Sequence, residues 1–185
     1  MKLVLASGSP RRREILANAG LPFFVRVSNV AEERRASEPA IEYVRRLAEE
    51  KAFAVPMEAD EVILAADTVV VLDDHVLEKP RDAADAERML RLLSGRWHEV
   101  TTGICLRASG LKMVDAETTR VHFVELSDAE IAAYAASGEP MDKAGAYAIQ
   151  GLASKFIDRV DGCYFNVVGL PMAMVYRHLK ALGTV

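Results

Sequence analysis

At 185 residues, the chain is long enough for one sizeable domain or two small lobes sharing a core, and its composition (51% hydrophobic, 27% charged) is that of an ordinary globular protein. A formal net charge of −4 removes any general electrostatic drive toward nucleic acid or an anionic membrane, so neither is expected as a partner. Two cysteines without a CxxC spacing cannot form a disulfide framework for this length, and the four scattered histidines lack HxH or HExxH zinc spacing.

The first element is a short buried strand over 2–6. Its apolar stretch falls short of the roughly 7–15 residues of a secretory h-region. No later segment approaches the roughly 20 apolar residues of a membrane span, so a cytoplasmic protein is expected. Ser7-Gly8-Ser9 turns the chain, with Ser9 as N-cap and Pro10 at the first helical position. That helix keeps Ile15, Leu16 and Ala19 on one side and stops at Gly20-Leu21-Pro22. Residues 23–30 read as a strand, and 31–35 as a polar loop.

Pro39 opens a helix over about 40–54, with Ile41, Val44, Ala48 and Val55 at helical spacing and Lys51 on the same stripe. Residues 61–72, almost wholly apolar and β-rich, predict a central buried strand, turned back at Asp73-Asp74-His75. Asp82 caps a helix over about 83–93 whose Met89, Leu90 and Leu93 face inward, and Ser94-Gly95 ends it. Strands over about 98–107 and 115–126 flank Ala108-Ser109-Gly110. Ser127 and Glu130 form a capping box for a helix ending near Gly138. Segments 155–160 and 164–168 read as a hairpin joined at Asp161-Gly162. Gly169-Leu170-Pro171 opens a last helix with Met172, Val175, Tyr176 and Leu179 toward the core. There are no repeats, low-complexity tracts or linkers, so a single α/β domain over 1–185 with a mixed sheet is expected.

Three features do not fit a purely structural role. Arg11, Arg12 and Arg13 occupy the first turn of a helix, where the dipole is already positive and each exposed cation costs roughly 0.3–1 kcal/mol. A turn of small residues at a helix N-terminus binds anions, and guanidinium matches phosphate with a planar fork. A phosphate at Ser7-Gly8-Ser9 would thus make Arg11 and Arg12 its counter-charges. The alternative is a solvated arginine run. The second feature is Asp67, inside an apolar strand where an unpaired carboxylate costs several kcal/mol. Asp67 either faces a cleft, is paired with a metal or a base, or merely marks a bend. Third, Lys51 lies on an apolar stripe, where it either snorkels to solvent or serves a site.

Lys79, in LEKP, and Glu32, in the acidic loop, are unexceptional alone. Together with the others they complete an inventory for hydrolysis of a phosphate ester. Cations neutralise a polyphosphate, carboxylates (Asp67 and Glu32) hold a divalent metal, and one carboxylate orients the attacking water.

LASGSPRRREIL, AADTVV, LEKPRDA, LSGRWHEVTTG, DKAGAYAIQG and NVVGLP, in this order and at these intervals, resemble the motifs of the Maf family. These are nucleotide pyrophosphatases first described as septum-formation inhibitors, and the resemblance runs from about residue 3 to 175. It implies a Maf/inosine-triphosphatase-like fold, with a long mixed sheet and two lobes around a central cleft. The implied reaction converts a nucleoside triphosphate and water to the monophosphate and pyrophosphate with a divalent cation, Mg²⁺ or Mn²⁺, in a homodimer. Carried over by position, Ser7, Arg11, Arg12, Lys51 and Lys79 would bind the triphosphate. Asp67 would be the general base, and Glu32 a partner of metal or water.

Gln150, in YAIQG, matches the glutamine of the branch that prefers dTTP and UTP. Its carboxamide presents a donor and an acceptor together, which suits the edge of uracil or thymine. Two positions depart from the pattern. Ala148 stands where the family commonly has Gly, and the acidic loop reads Ala31-Glu32-Glu33-Arg34 rather than Asp-Glu, with spacing favouring Glu32 over Glu33. A rival expectation is a nucleotide-sensing regulator of cell division that binds without needing to hydrolyse. Against it stands the intact charged set, Asp67 and Glu32 included, where binding alone needs mainly cations.

Overall fold

The computed structural model describes residues 1–185. Its element order is β1 (Lys2–Leu5), α1 (Pro10–Asn18), β2 (Phe23–Val25), α2 (Ala40–Phe53), β3 (Glu61–Leu72), β4 (His75–Leu77), α3 (Ala83–Leu93), β5 (Trp97–Ala108), β6 (Leu111–Phe123), α4 (Asp128–Ala136), β7 (Ile157–Asp161), α5 (Tyr164–Val168) and α6 (Met172–Ala181). The strands form one seven-stranded sheet in the order β2-β1-β3-β5-β6-β7, with β4 paired to β3. β1 runs parallel to both β2 and β3, while β3–β4 and β6–β7 are antiparallel, which makes the sheet mixed as expected.

The chain divides into two compact units. The first comprises residues 1–68, 102–117 and 169–185, the second 69–101 and 118–168, and β3, β5 and β6 run through both. The core of the first unit follows from the apolar run of β3 meeting the inner face of α2. Val4, Ala6, Ala48, Ala52, Val55, Ile63, Ala65 and Cys105 form one buried cluster. Small residues on both surfaces let helix and strand approach closely.

The closest approach is at Gly103, where an added Cβ would fall inside 3.0 Å of the Val44 carbonyl. Backbone cannot yield as a side-chain tip can, so Gly103→Ala is expected to cost about 1–3 kcal/mol, as overpacking does. The measurement is the urea midpoint at unchanged m. An unshifted midpoint would mean that α2 moves aside freely.

The second unit is built around aromatic rings. Phe123 packs edge-on to Tyr147 with centroids 4.9 Å apart, and Tyr134 edge-on to Phe156 at 5.6 Å. The Tyr147 hydroxyl pairs with His98 Nε2 at 2.8 Å, and burial pushes this imidazole down to about 3, so it stays neutral.

Several expectations need correction. The strand over 23–30 stops at Val25. The hairpin over 155–168 is a strand and a helix: β7 takes its partner from β6, and 164–168 coils into α5. Tertiary contacts override β propensity there. Asn166 is fully buried and donates to the Val100 carbonyl (2.8 Å) and Thr119 Oγ1 (3.0 Å), an arrangement that holds the segment as a helical turn against the sheet. Among inward faces, Ile41 is exposed and Tyr43 and Leu47 take its place on α2. Tyr176 is exposed and Met174 buried on α6, and Ala19 is an exposed C-cap.

Candidate active site

β1 delivers the chain into the Ser7-Gly8-Ser9 turn, and Pro10 starts α1. Ser9 occupies the N-cap position in extended conformation, but its hydroxyl makes no capping bond. Ser7 orders the turn instead, its Oγ accepting from the Ser9 backbone N–H at 3.2 Å. Arg12 then folds back over this turn. Its Nε donates to the Gly169 carbonyl (2.7 Å), one Nη to Ser7 Oγ (3.3 Å) and the other to Thr68 Oγ1 (3.1 Å). Thr68 Oγ1 is itself paired with Thr102 Oγ1 at 2.9 Å. A guanidinium held at all three nitrogens has one orientation.

Burial pulls the Arg12 pKa below its ordinary value, and the charges of Asp67 and Glu32 oppose that pull. The cation at the helix start is therefore compensated from across the site by carboxylates. Arg11, half-buried in the same first turn, adds like charge beside it.

Those carboxylates converge on Lys51. Its Nζ lies 2.5 Å from Asp67 Oδ1 and 2.6 Å from Glu32 Oε1. Lys51 and Asp67 are each only 7% exposed, so the lysine does not snorkel and the aspartate does not mark an open bend. Burial pushes the Asp67 carboxyl above the usual carboxylate range, and Lys51 and Arg12 pull it back.

Glu32 sits on a loop that α2 pins. Tyr43 Oη donates to the Glu32 carbonyl (3.2 Å), and Arg46 to the Glu33 carbonyl (3.0 Å). Arg46 also holds Glu38 through both carboxylate oxygens at 2.7 Å, which keeps that carboxyl down at about 2. The backbone of the acidic loop is thus fastened while the Glu32 side chain reaches Lys51.

No group of three or more His, Cys, Asp or Glu side chains converges to hold a metal ion. Asp67 and Glu32 nevertheless close on a single cation, the Lys51 ammonium, with hard oxygen donors. One or two carboxylates completed by substrate phosphates is the usual way Mg²⁺ is held, so this pair fits such an ion.

The first unit therefore gathers Ser7, Arg11, Arg12, Glu32, Lys51 and Asp67. Lys79 and Gln150 belong to the second unit, both exposed on turns. Within that unit the two segments are joined where the Gly145 N–H donates to the Glu78 carbonyl at 3.1 Å. Sequence reasoning assigned no role to Thr68, Thr102 or Gly169. The AADTVV, EVTTG and NVVGLP segments contain them, yet nothing in a single sequence says that all three converge on Arg12.

The family model for Maf-like protein matches residues 2–182. The chain belongs to the Maf family. Three of its relatives are dTTP/UTP pyrophosphatases by name. That of Koribacter versatilis is 53% identical over 99% of this chain and 95% of its own length. The Vibrio cholerae protein is 53% identical over 92% of each. The Salmonella typhimurium protein is 50% identical over 97% of this chain and 94% of its own. The Maf motifs fall on the residues whose geometry is described above: SGSPRR on the Ser7-Gly8-Ser9 turn, ADT on the Asp67–Thr68 pair and GLP on the carbonyl that orients Arg12.

Proposed function

We propose that this Maf protein hydrolyses dTTP and UTP to the nucleoside monophosphate and pyrophosphate. The observation that carries this reading is a carboxylate, Asp67, buried beside an ammonium and a guanidinium that is oriented by Ser7 of the turn before α1. The relatives' names, at about half identity over nearly full length, support the substrate pair.

The chemistry follows from the residues. Ser7, Arg12 and the backbone of the turn bind phosphate oxygens, and Arg11, Lys51 and Lys79 add positive charge for the triphosphate. Asp67 accepts a proton from a water as its oxygen bonds to the α-phosphorus. The bond from that phosphorus to the bridging oxygen breaks, and pyrophosphate leaves. Glu32 and Asp67 would hold a divalent cation, Mg²⁺ or Mn²⁺, with the substrate's phosphates. Bound there, it would neutralise charge on the transferred group. Gln150 faces the base, offering a donor and an acceptor to the uracil or thymine edge. The family resemblance also carries a homodimer, for which sedimentation is the test, and the sequence reading carries a cytoplasmic location, for which cell fractionation is.

A regulator that only binds nucleotide is less well supported, because cations alone would serve it. Two buried or half-exposed carboxylates around Lys51 would then oppose its ligand.

The test is purified protein with Mg²⁺ and a panel of nucleoside triphosphates, with pyrophosphate and orthophosphate assayed separately. Pyrophosphate with monophosphate, fastest from dTTP and UTP, is expected. Orthophosphate alone would put the attack at the γ-phosphorus, and binding without turnover would favour the regulator.

A further inference from the structure

Gln150 lies on an exposed turn, and something must hold an exposed turn still if its side chain is to discriminate between bases. The turn closes on itself through the Gly151 N–H to the Ala148 carbonyl at 3.1 Å. On one side of Gln150, the Ala148 N–H donates to Tyr134 Oη at 3.2 Å. On the other, the Leu152 N–H donates to both Glu139 oxygens, at 3.0 and 3.1 Å. Tyr134 Oη in turn donates to Glu139 Oε1 at 2.8 Å. Two side chains therefore hold the backbone on both sides of Gln150, and they are bonded to each other.

We propose that Tyr134 and Glu139 are positioning residues for Gln150, a staple that fixes its turn and through it the preference for a uracil or thymine base. This rests on the reading of Gln150 given above and names what makes that residue selective.

Three further observations support a built device. A Cβ at Gly151 would fall inside 3.0 Å of the Glu139 carboxylate, so the glycine of the QG pair is what lets the acid reach the turn. The staple is itself anchored on rigid structure. Tyr134 is 4% exposed on α4, its ring edge-on to Phe156, and α4 begins with a complete Ser127–Glu130 capping box. Lys143 Nζ donates to the Glu139 carbonyl at 2.7 Å, and the Glu139 N–H to Ser137 Oγ at 3.2 Å, which fixes the acid's own backbone. Apolar contacts alone would not suffice. Ile149 and Ala153 are buried, but Leu152 between them is 57% exposed, and it is the Leu152 N–H that Glu139 holds. Burial and the neighbouring Glu139 also push the Tyr134 phenol above its ordinary value, so it remains a donor throughout the neutral range.

The experiment compares kcat/KM for UTP and CTP in the full-length protein. Uracil offers an N3–H donor and an O4 acceptor where cytosine offers an N3 acceptor and an amino donor, so the pattern a carboxamide reads is reversed. Gln150→Ala is expected to lower the UTP:CTP ratio about tenfold, the worth of roughly one hydrogen bond. Glu139→Ala is expected to lower it by a similar factor. The double variant Glu139→Ala/Gln150→Ala should fall no further, since residues acting as one unit are not additive. Glu139→Gln, which keeps an acceptor, should recover most of the ratio. Tyr134→Phe removes one hydroxyl and gives a second route should Glu139→Ala fold poorly.

If Gln150→Ala shifts the ratio but neither Glu139→Ala nor Tyr134→Phe does, the staple is overturned while the reading of Gln150 stands. If Gln150→Ala leaves the ratio unchanged, that reading fails and the staple with it. An equal loss on both substrates, tracking a fall in Tm, would make Tyr134 and Glu139 merely structural and overturn the proposal.

Discussion

Asp67→Asn is expected to lower kcat for dTTP and UTP by about 10²–10⁴-fold, the usual contribution of a positioned general base, while nucleotide still binds. The asymmetry follows from the site. Asn keeps the shape and an acceptor oxygen for the Lys51 ammonium, but it cannot take a proton from water. Ser7 and Arg12 hold each other and the Ser7-Gly8-Ser9 turn without a hydrogen bond to residue 67. Folding should be little affected. Burial already opposes the charge on Asp67, so removing that charge leaves Lys51 with Glu32 as its ion-pair partner and relieves a desolvation cost. In chelator-containing buffer, Tm should therefore stay within the roughly 2–4 °C that a 1 kcal/mol change produces at this size. Single-turnover assays and equilibrium nucleotide titration separate the two effects. Wild-type turnover in the variant would remove Asp67 from the base role.

How much of this was legible beforehand depended on whether the signal was local. The bounds of α3 follow from Asp82, whose side chain accepts from the Asp85 N–H at 2.8 Å, and from the Ser94-Gly95 stop. Likewise α4 follows from its capping box, and β3 from an almost wholly apolar run rich in β-branched residues. Misreadings arose where a distant partner decided the conformation. Tyr164-Phe165-Asn166-Val167-Val168 has the composition of a strand, yet it coils because Asn166 finds Val100 and Thr119 on the sheet. Asp161-Gly162 looked like a hairpin turn for the same local reasons.

The site divides along that line as well. Asp67 and Lys51 stood out because each is chemically wrong for its surroundings, a charge in an apolar strand and a charge on an apolar helix face. Each is the explanation of the other at 2.5 Å. Thr68, Thr102 and Gly169 carry no such anomaly. A threonine in a β-strand and a glycine before a helix are ordinary, and only the folded chain brings them to Arg12.

That mutual dependence gives Lys51→Met the largest expected effect on stability. Removing one member of a buried ion pair typically costs about 3–5 kcal/mol, because the other is left as an uncompensated charge. Here the stranded group is Asp67, since the Glu32 side chain is 40% exposed and water can take over its solvation. The loss should depend on pH in a definite direction. Without Lys51, only Arg12 opposes the desolvation of Asp67, so its folded-state pKa rises further above the unfolded value of about 3.9. A carboxyl with a raised folded pKa contributes stability that is fully present below the unfolded pKa and lost as pH rises through the folded one. The gap between wild type and variant should therefore be widest near pH 7 and should close as pH falls toward about 4, where Asp67 takes up a proton. Urea unfolding at several pH values in chelator-containing buffer measures this directly. A gap that stays constant with pH would assign the loss to packing of the lysine stem, and Asp67 would then owe little of its ionised state to Lys51.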